Sequence, residues 1–318
     1  MTTSATLAWL FPGQGAQSVG MGKDLLEVSP AARRIFERAD EALGEKLSKV
    51  ILEGPEGDLT MTANAQPALV TVSTALLEAL RERVPNLTLP AFAAGHSLGE
   101  YSALVASGAL TFEDAVRTVR ARGRAMQEAV PAGVGAMAAV MSVDASVLES
   151  ICQEAAQGEV LSLANFNAPG QIVIAGTVGA VGRAGPLVEA AKGKMIPLKV
   201  SAPFHCALMA PAAEVVAKEV QRLKLSALAF PVVANVDAMP NQDPGRVAEL
   251  LTRQVAGAVR WDQSVQYMQS QGITSALEIG PGKVLAGLVK RISKGISVTN
   301  ISDAASLDAA ALLLSSAS

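Results

Sequence analysis

The chain has 318 residues, of which 50% are hydrophobic and 17% are charged, with a mean hydropathy of +0.33. This length and apolar content exclude a disordered protein, because the chain can bury a large core. The formal net charge of −3 gives no overall field that would favour DNA, RNA or an anionic membrane.

Short apolar runs alternate with amphipathic segments along most of the chain. The predicted strands are 7–11, 91–94, 232–236 and 276–279. The predicted helices are 31–43, 68–83, 97–107, 112–129, 207–223 and 284–292. This alternation predicts an α/β fold with a parallel sheet covered on both faces, and a functional site at the carboxyl ends of its strands.

Residues 131–200 follow a different order of elements. The predicted elements there are strand 136–143, helix 145–156, strands 160–164 and 171–175, helix 178–191 and strand 195–200. This βαββαβ order is typical of a ferredoxin-like unit. We therefore expect an α/β core made of residues 1–130 and 201–318, with a ferredoxin-like subdomain inserted at 131–200. The Ala/Ser-rich tail after Asp303 is expected to fray.

No stretch of the sequence predicts a membrane span or a secretory signal. The longest uncharged stretch, 160–182, carries polar residues in its middle, and the N-terminal stretch has no basic start. Two cysteines, Cys152 and Cys206, are too few for a disulfide framework, and no Cys/His spacing is typical of a metal site. We expect a soluble cytoplasmic protein without a structural metal.

The segment GHSLG at 95–99 has the G-x-S-x-G pattern of a nucleophile elbow, between an apolar run and an amphipathic helix. An ordinary glycine-rich turn in which Ser97 caps the helix would give the same pattern. A nucleophilic serine needs a base, and the chain has two histidines. His96 is adjacent to Ser97 and is expected to point away, which leaves His205 as the candidate base.

Four arginines lie on the helix predicted at 112–129. At about 100° per residue, Arg117, Arg120 and Arg124 share one sector, which is expected to be solvated. Arg122 instead falls on the apolar face, where a guanidinium needs a compensating anion. That anion is either an internal Asp or Glu or the carboxylate of a bound substrate.

Two glycine-rich segments lack the features of nucleotide sites. The segment PGQGAQ at 12–17 has neither a Gly-Lys-Ser/Thr ending nor G-x-G-x-x-G spacing, and GPGK at 280–283 also fails as a P-loop. The first segment can instead present a backbone N–H to an oxyanion. A basic stretch at 283–294 contains no acidic residue; it is typical of solvated surface, and near a site it would attract an acidic partner protein.

Taken together, these motifs resemble malonyl-CoA:acyl carrier protein transacylases. The resemblance is carried, in order, by GQGAQ at 13–17, GHSLGEYSAL at 95–104, RG at 122–123, NFNAPGQ at 165–171, HCALM at 205–209 and GPGK at 280–283. It implies an α/β-hydrolase-like large domain with an inserted ferredoxin-like small domain. It also implies an acyltransferase that needs no cofactor.

The resemblance further implies roles for individual residues. Ser97 is expected to be the nucleophile and His205 its base. Arg122 is expected to pair with the malonyl carboxylate. The backbone N–H groups of Gln14 and Leu98 are expected to form the oxyanion hole.

Three more residues are assigned in the same way. The main-chain carbonyl of Gln254 is expected to orient the histidine, in place of an aspartate, and Asn165 and Phe204 are expected to line the substrate pocket. Many bacterial relatives carry serine at the position of Phe204. In related polyketide acyltransferases Phe accompanies malonyl and Ser accompanies methylmalonyl, so we expect unsubstituted malonyl as the acyl group.

The activity implied is transfer of malonyl from malonyl-CoA to the phosphopantetheine thiol of acyl carrier protein, in fatty acid biosynthesis, through a malonyl-serine intermediate. The expected partners are the carrier protein and the CoA ester, with no nucleic acid or membrane partner and a monomeric chain. The alternatives are a stand-alone acyltransferase of a polyketide synthase, a serine thioesterase or esterase, and a non-enzymatic scaffold that binds carrier protein.

Overall fold

A computed structural model describes residues 3–200 and 202–316. The strands in this part of the chain are β1 (Leu7–Phe11), β2 (Phe92–Gly95), β3 (Gly135–Met141), β4 (Leu161–Ala168), β5 (Gln171–Thr177), β6 (Lys194–Pro197), β7 (Val232–Ala234), β8 (Met239–Asn241), β9 (Ser275–Ile279) and β10 (Ser297–Ile301). The α-helices are α1 (Leu25–Val28), α2 (Pro30–Leu43), α3 (Leu47–Glu53), α4 (Glu56–Thr60), α5 (Thr62–Arg83), α6 (Gly99–Ala106), α7 (Phe112–Glu128), α8 (Ala145–Ala156), α9 (Val178–Ala190), α10 (Ala210–Gln221), α11 (Pro244–Ala256), α12 (Trp261–Ser270), α13 (Val284–Ile292) and α14 (Ala304–Ser316).

The larger of the two sheets found in the described residues has six strands in the order β10-β9-β1-β2-β7-β8. Its strands are parallel except β8, which pairs antiparallel with β7 at the edge. All five residues of β1 are buried, as the continuous apolar run predicts for a strand covered on both faces. Because Phe11 pairs with Gly95, the loop after β1 and the turn after β2 leave the sheet side by side.

The smaller sheet has the order β4-β5-β3-β6 and is antiparallel throughout its described pairings. Helices α8 and α9 share a hydrophobic cluster with β3 and β5, so they cover one face of this sheet. The strand order and the βαββαβ sequence are those of a ferredoxin-like unit, and the larger sheet draws strands from both sides of it in the chain. The boundaries at residues 131 and 200 stay a prediction.

The C-terminal tail differs from the sequence prediction. Residues 304–316 form α14 instead of fraying, with Leu307 and Ala310 fully buried, and the last two residues of the tail lie outside the described residues. Arg83 of α5 forms an ion pair with Asp308 of this helix. The prediction was wrong because the small and aliphatic residues of the tail pack against α5 and β10.

Two absences concern the described residues only. None of the helices at 3–200 and 202–316 combines the length and apolar character needed to cross a membrane. In the same residues, no group of three or more His, Cys, Asp or Glu side chains is arranged to hold a metal ion.

Candidate active site

The segment at 95–99 forms a sharp turn between β2 and α6, with Ser97 at its apex. Ser97 has a φ of 50°, a left-handed conformation that is strained for a residue with a side chain. A Cβ added to Gly95 would lie 1.9 Å from the carbonyl carbon of Gly99, so the two backbones approach too closely for any other residue. The turn therefore has the geometry of a nucleophile elbow and presents Ser97 at the carboxyl edge of the larger sheet.

His205 lies beside the serine hydroxyl. Its Nε2 is 2.7 Å from Ser97 Oγ, and its Nδ1 is 2.9 Å from the carbonyl oxygen of Gln254 and 3.1 Å from that of Gly257. Carbonyl oxygens only accept hydrogen bonds, so Nδ1 carries the proton and the lone pair of Nε2 faces the hydroxyl. In this tautomer His205 is placed to take the Ser97 proton.

The imidazole of His205 is held neutral by its surroundings. Burial, and after it the positive charge of Arg122, lower its pKa to about 3. The side chain is therefore an unprotonated base across the physiological range.

This low pKa predicts an unusual pH dependence for acylation. The resemblance implies acylation of Ser97, and we expect its single-turnover rate with acetyl-CoA, an acyl donor without a titrating acyl group, to stay level from about pH 8 to about pH 5. An ordinary histidine base would lose most of that rate below about pH 6.5. The rate is measured at each pH by quenching the reaction and determining the intact mass of the protein. A fall in the rate centred near about pH 6.5 would contradict the neutral buried base.

The fold must be checked in the same experiment. Because the folded pKa of His205 lies below its unfolded value, the unfolded chain takes up the proton first. The contribution of His205 to the free energy of unfolding is therefore fully present above about pH 6.5, and it declines as the pH falls towards the pKa of the folded state. Circular dichroism at each pH therefore accompanies the rates.

Arg122 is turned inward on α7, as the helical spacing predicts, and is 1% exposed. One terminal nitrogen donates to Gln66 Oε1 at 2.8 Å, and the other donates to Ser97 Oγ and Gln254 Oε1 at 3.0 Å each. Within the described chain no carboxylate forms a salt bridge with this guanidinium, and its Nε has no hydrogen-bond partner. The alternative of a directly paired internal carboxylate is therefore not found in the described residues, and the pairing of Arg122 with a substrate carboxylate stays a prediction.

Arg120 departs from the prediction of a solvated sector. It is 8% exposed, donates to the carbonyl of Ala63 at 2.8 Å and contacts Glu45. The reason is that α5 begins at Thr62 instead of residue 68, so its first turn covers this part of α7. Arg117 and Arg124 are exposed, as expected.

The loop at 12–17 lies directly on the elbow. A Cβ on Gly13 would be 2.4 Å from the carbonyl oxygen of His96, which places the next residue, Gln14, beside Leu98 and the serine. In the described residues neither the Gln14 N–H nor the Leu98 N–H donates a hydrogen bond, so both are free to bind an oxyanion. The role of this pair stays a prediction.

A cavity of about 920 Å³ opens in front of Ser97. Its lining combines the elbow and α13 with residues of the smaller sheet, so it runs between the two sheets. The residues assigned from the sequence that line it are Gln14, Ser97, Leu98, Arg122, Asn165, Phe204 and His205. A cavity of this size lies within the range of small-molecule binding pockets.

The chain is similar to known proteins over most of its length. The acyl transferase domain family matches residues 8–309. The chain is 48% identical over 306 residues to the malonyl CoA-acyl carrier protein transacylase of Bacillus subtilis, covering 96% of each chain. It is 45% identical over 304 residues to that of Escherichia coli K12, covering 95% of this chain and 98% of the other. The chain belongs to the malonyl CoA-acyl carrier protein transacylase family.

Solved structures place it in the same family. An acyl carrier protein S-malonyltransferase from Vibrio cholerae superimposes with a TM-score of 0.93 at 46% identity, covering 96% of this chain and 99% of that one. A malonyl-transacylase solved with its type II polyketide-synthase acyl carrier protein gives a TM-score of 0.93 at 43% identity, covering 97% and 99%. The α/β fold with a parallel-rich sheet is therefore the transacylase fold.

The transacylase site contains residues that sequence reasoning missed. Asn235 is fully buried after β7; its Oδ1 accepts from the Ser97 N–H and its Nδ2 donates to the Gly95 carbonyl, both at 2.7 Å. These bonds satisfy the polar groups of the strained turn. The available signal for Asn235 was a polar residue at the end of an apolar run. Glu100, which is 3% exposed in the first turn of α6, was missed as well, and no such run marks it.

Proposed function

We propose that the chain transfers a malonyl group from malonyl-CoA to the phosphopantetheine thiol of an acyl carrier protein, through a malonyl-Ser97 intermediate, in fatty acid biosynthesis. The observation that carries the proposal is the hydroxyl of Ser97, which lies 2.7 Å from His205 Nε2 and 3.0 Å from a guanidinium nitrogen of Arg122. The Ser97 hydroxyl therefore lies next to both a base, His205, and a cation, Arg122, that can bind the carboxylate of the acyl group.

In the first step, His205 Nε2 takes the hydroxyl proton while Ser97 Oγ attacks the thioester carbonyl of malonyl-CoA. The negative charge that develops on the carbonyl oxygen is stabilised by the N–H groups of Gln14 and Leu98. The tetrahedral intermediate then expels CoA, whose sulfur receives the proton from His205, and malonyl-Ser97 remains.

The second step repeats this chemistry in reverse. The phosphopantetheine thiol gives its proton to His205 and attacks the malonyl ester, and Ser97 leaves with that proton. Arg122 holds the malonyl carboxylate in both steps through paired N–H donors. This contact selects a 3-carboxyl acyl group over acetyl and keeps the ester where water attacks poorly.

Initial rates with both substrates varied test the proposal. A ping-pong transferase gives parallel double-reciprocal lines and malonyl-carrier protein as the product. A thioesterase on the same elbow would release free malonate at a rate independent of carrier protein, and a scaffold would release nothing. Parallel assays with fatty-acid and polyketide carriers separate the two biosynthetic assignments.

The acidic carrier is proposed to dock on the basic stretch around α13. Its exposed cations are Lys283, Lys290, Arg291 and Lys294. Val284 and Leu285, at the start of α13, line the cavity, and Arg291 donates to Gln171, which also lines it. The stretch therefore borders the mouth through which a phosphopantetheine arm would reach Ser97.

Reversing the charges of Lys283, Lys290 and Arg291 is expected to raise the KM for carrier protein about tenfold, because rim charges steer association. The KM for malonyl-CoA is expected to change less than about twofold. The matched control reverses Lys218, Arg222 and Lys224, exposed cations at the end of α10. Equal effects on both substrates, or an equal effect of the control, would contradict a carrier-specific surface.

A further inference from the structure

A buried carboxyl that the proposed chemistry does not use lies behind Arg122. Glu100 is 3% exposed, and its Oε2 accepts from the backbone N–H of Asn235 at 3.0 Å and from Gln254 Nε2 at 2.7 Å. An acidic group this deeply buried is uncommon, because burial penalises its charged form.

The side-chain amide of Gln254 connects this carboxyl to the guanidinium. Gln254 is fully buried; its Oε1 accepts from Arg122 at 3.0 Å, and its Nε2 donates to Glu100 and to the Ser97 carbonyl. The opposite amide orientation would turn its NH₂ towards the donor-only guanidinium, so the network fixes this one. The amide of Gln254 is therefore hydrogen-bonded between the guanidinium of Arg122 and the carboxyl of Glu100, and both groups polarise it.

We propose that Glu100 is a positioning residue that sets the preference for a carboxylated acyl group, by balancing the charge of Arg122 through the amide of Gln254. The inference rests on the proposed pairing of the malonyl carboxylate with Arg122. When Glu100 is ionised, it offsets part of the positive charge that an incoming carboxylate would meet. When it is protonated, Arg122 presents its full charge to the acyl group.

The groups around Glu100 set the pH at which its carboxyl ionises, and that pH lies in the neutral range. The pKa of Glu100 is raised to about 7, chiefly by burial. Asp237 adds to this rise, while hydrogen bonds from Asn235 and Gln254 and the charge of Arg122 oppose it. Asp237 lies between β7 and β8 and is itself paired with Arg253 of α11 at 2.7 Å. Tyr101, the neighbour on α6, stays neutral because burial raises its pKa to about 12.

The test is the ratio of kcat/KM for Ser97 acylation by malonyl-CoA to that by acetyl-CoA, measured across pH. Proton transfers at His205 and on CoA affect both donors and cancel in this ratio. We expect the ratio to fall about tenfold from about pH 6 to about pH 8, with a midpoint near the pKa of Glu100. In Glu100→Gln the ratio is expected to stay at its low-pH value throughout, because the amide keeps the hydrogen bonds and removes the charge.

The matched control is Asp40→Asn, which removes another largely buried carboxyl from α2, beside a separate cavity. It is expected to keep the pH dependence of the unsubstituted chain. A pH-independent ratio in the unsubstituted chain, or an unchanged fall in Glu100→Gln, overturns the inference. If Glu100→Gln does not fold, the first of these outcomes still decides it. Failure of the proposed function is distinct, since malonyl-CoA would then have no advantage over acetyl-CoA at any pH.

Discussion

Replacing Ser97 with alanine is expected to abolish the covalent malonyl-enzyme and to lower the rate of acyl transfer by about 10⁴-fold or more. The reason is that Ser97 Oγ is the acceptor of the acyl group, and it lies 2.7 Å from the base His205. Alanine keeps the Cβ and the turn but leaves no atom to attack the thioester. Intact-mass spectrometry after incubation with malonyl-CoA measures the loss directly.

Ser102 provides the matched control for this variant. It is 3% exposed on α6, and its hydroxyl has no hydrogen-bond partner in the described chain, so Ser102→Ala removes the same atom with little structural consequence. We expect this variant to form malonyl-enzyme at the normal rate. A mass increase of one malonyl group that persists in Ser97→Ala would show that another residue is the nucleophile.

Replacing Arg122 with alanine is expected to reduce kcat/KM for malonyl-CoA by about 100-fold or more, because a buried charge-assisted pair with the carboxylate is lost. Acylation by acetyl-CoA is expected to persist, since acetyl carries no carboxylate for the guanidinium to bind. The preference for malonyl over acetyl therefore collapses. Rates of acyl-enzyme formation with the two donors measure the change.

Arg124 offers a control on the same helix, because its side chain is exposed on α7. Arg124→Ala is expected to keep both rates and the preference for malonyl. Malonyl selectivity that survives in Arg122→Ala would contradict the assignment of the guanidinium to the acyl carboxylate.

Local patterns predicted much of the fold and the first layer of the site. The glycines of the elbow, the inward position of Arg122 and the βαββαβ order each follow from spacing within a short segment. These predictions hold because the conformation that each short segment favours is also the one that the tertiary packing requires. The carbonyl of Gln254, by contrast, was assigned only through family resemblance, since no local pattern marks a main-chain acceptor.

Other features depend on contacts between distant parts of the chain. Asn235 reaches the Ser97 N–H across 138 positions of sequence, and Gln254 reaches the Ser97 carbonyl across 157. Neither pairing leaves a periodic signal. The burial of Arg120 and the order of α14 were predicted wrongly for the same reason, because both result from packing against α5.

The most direct test of the transfer mechanism is a chase of isolated malonyl-enzyme with holo acyl carrier protein. The chain is first incubated with malonyl-CoA, freed of CoA esters by rapid gel filtration, and mixed with the carrier before intact-mass analysis of both proteins. The mechanism predicts that one malonyl group leaves the enzyme and appears on the carrier in equal amount. A malonyl group that stays on the enzyme, or that appears only as free malonate, would contradict it.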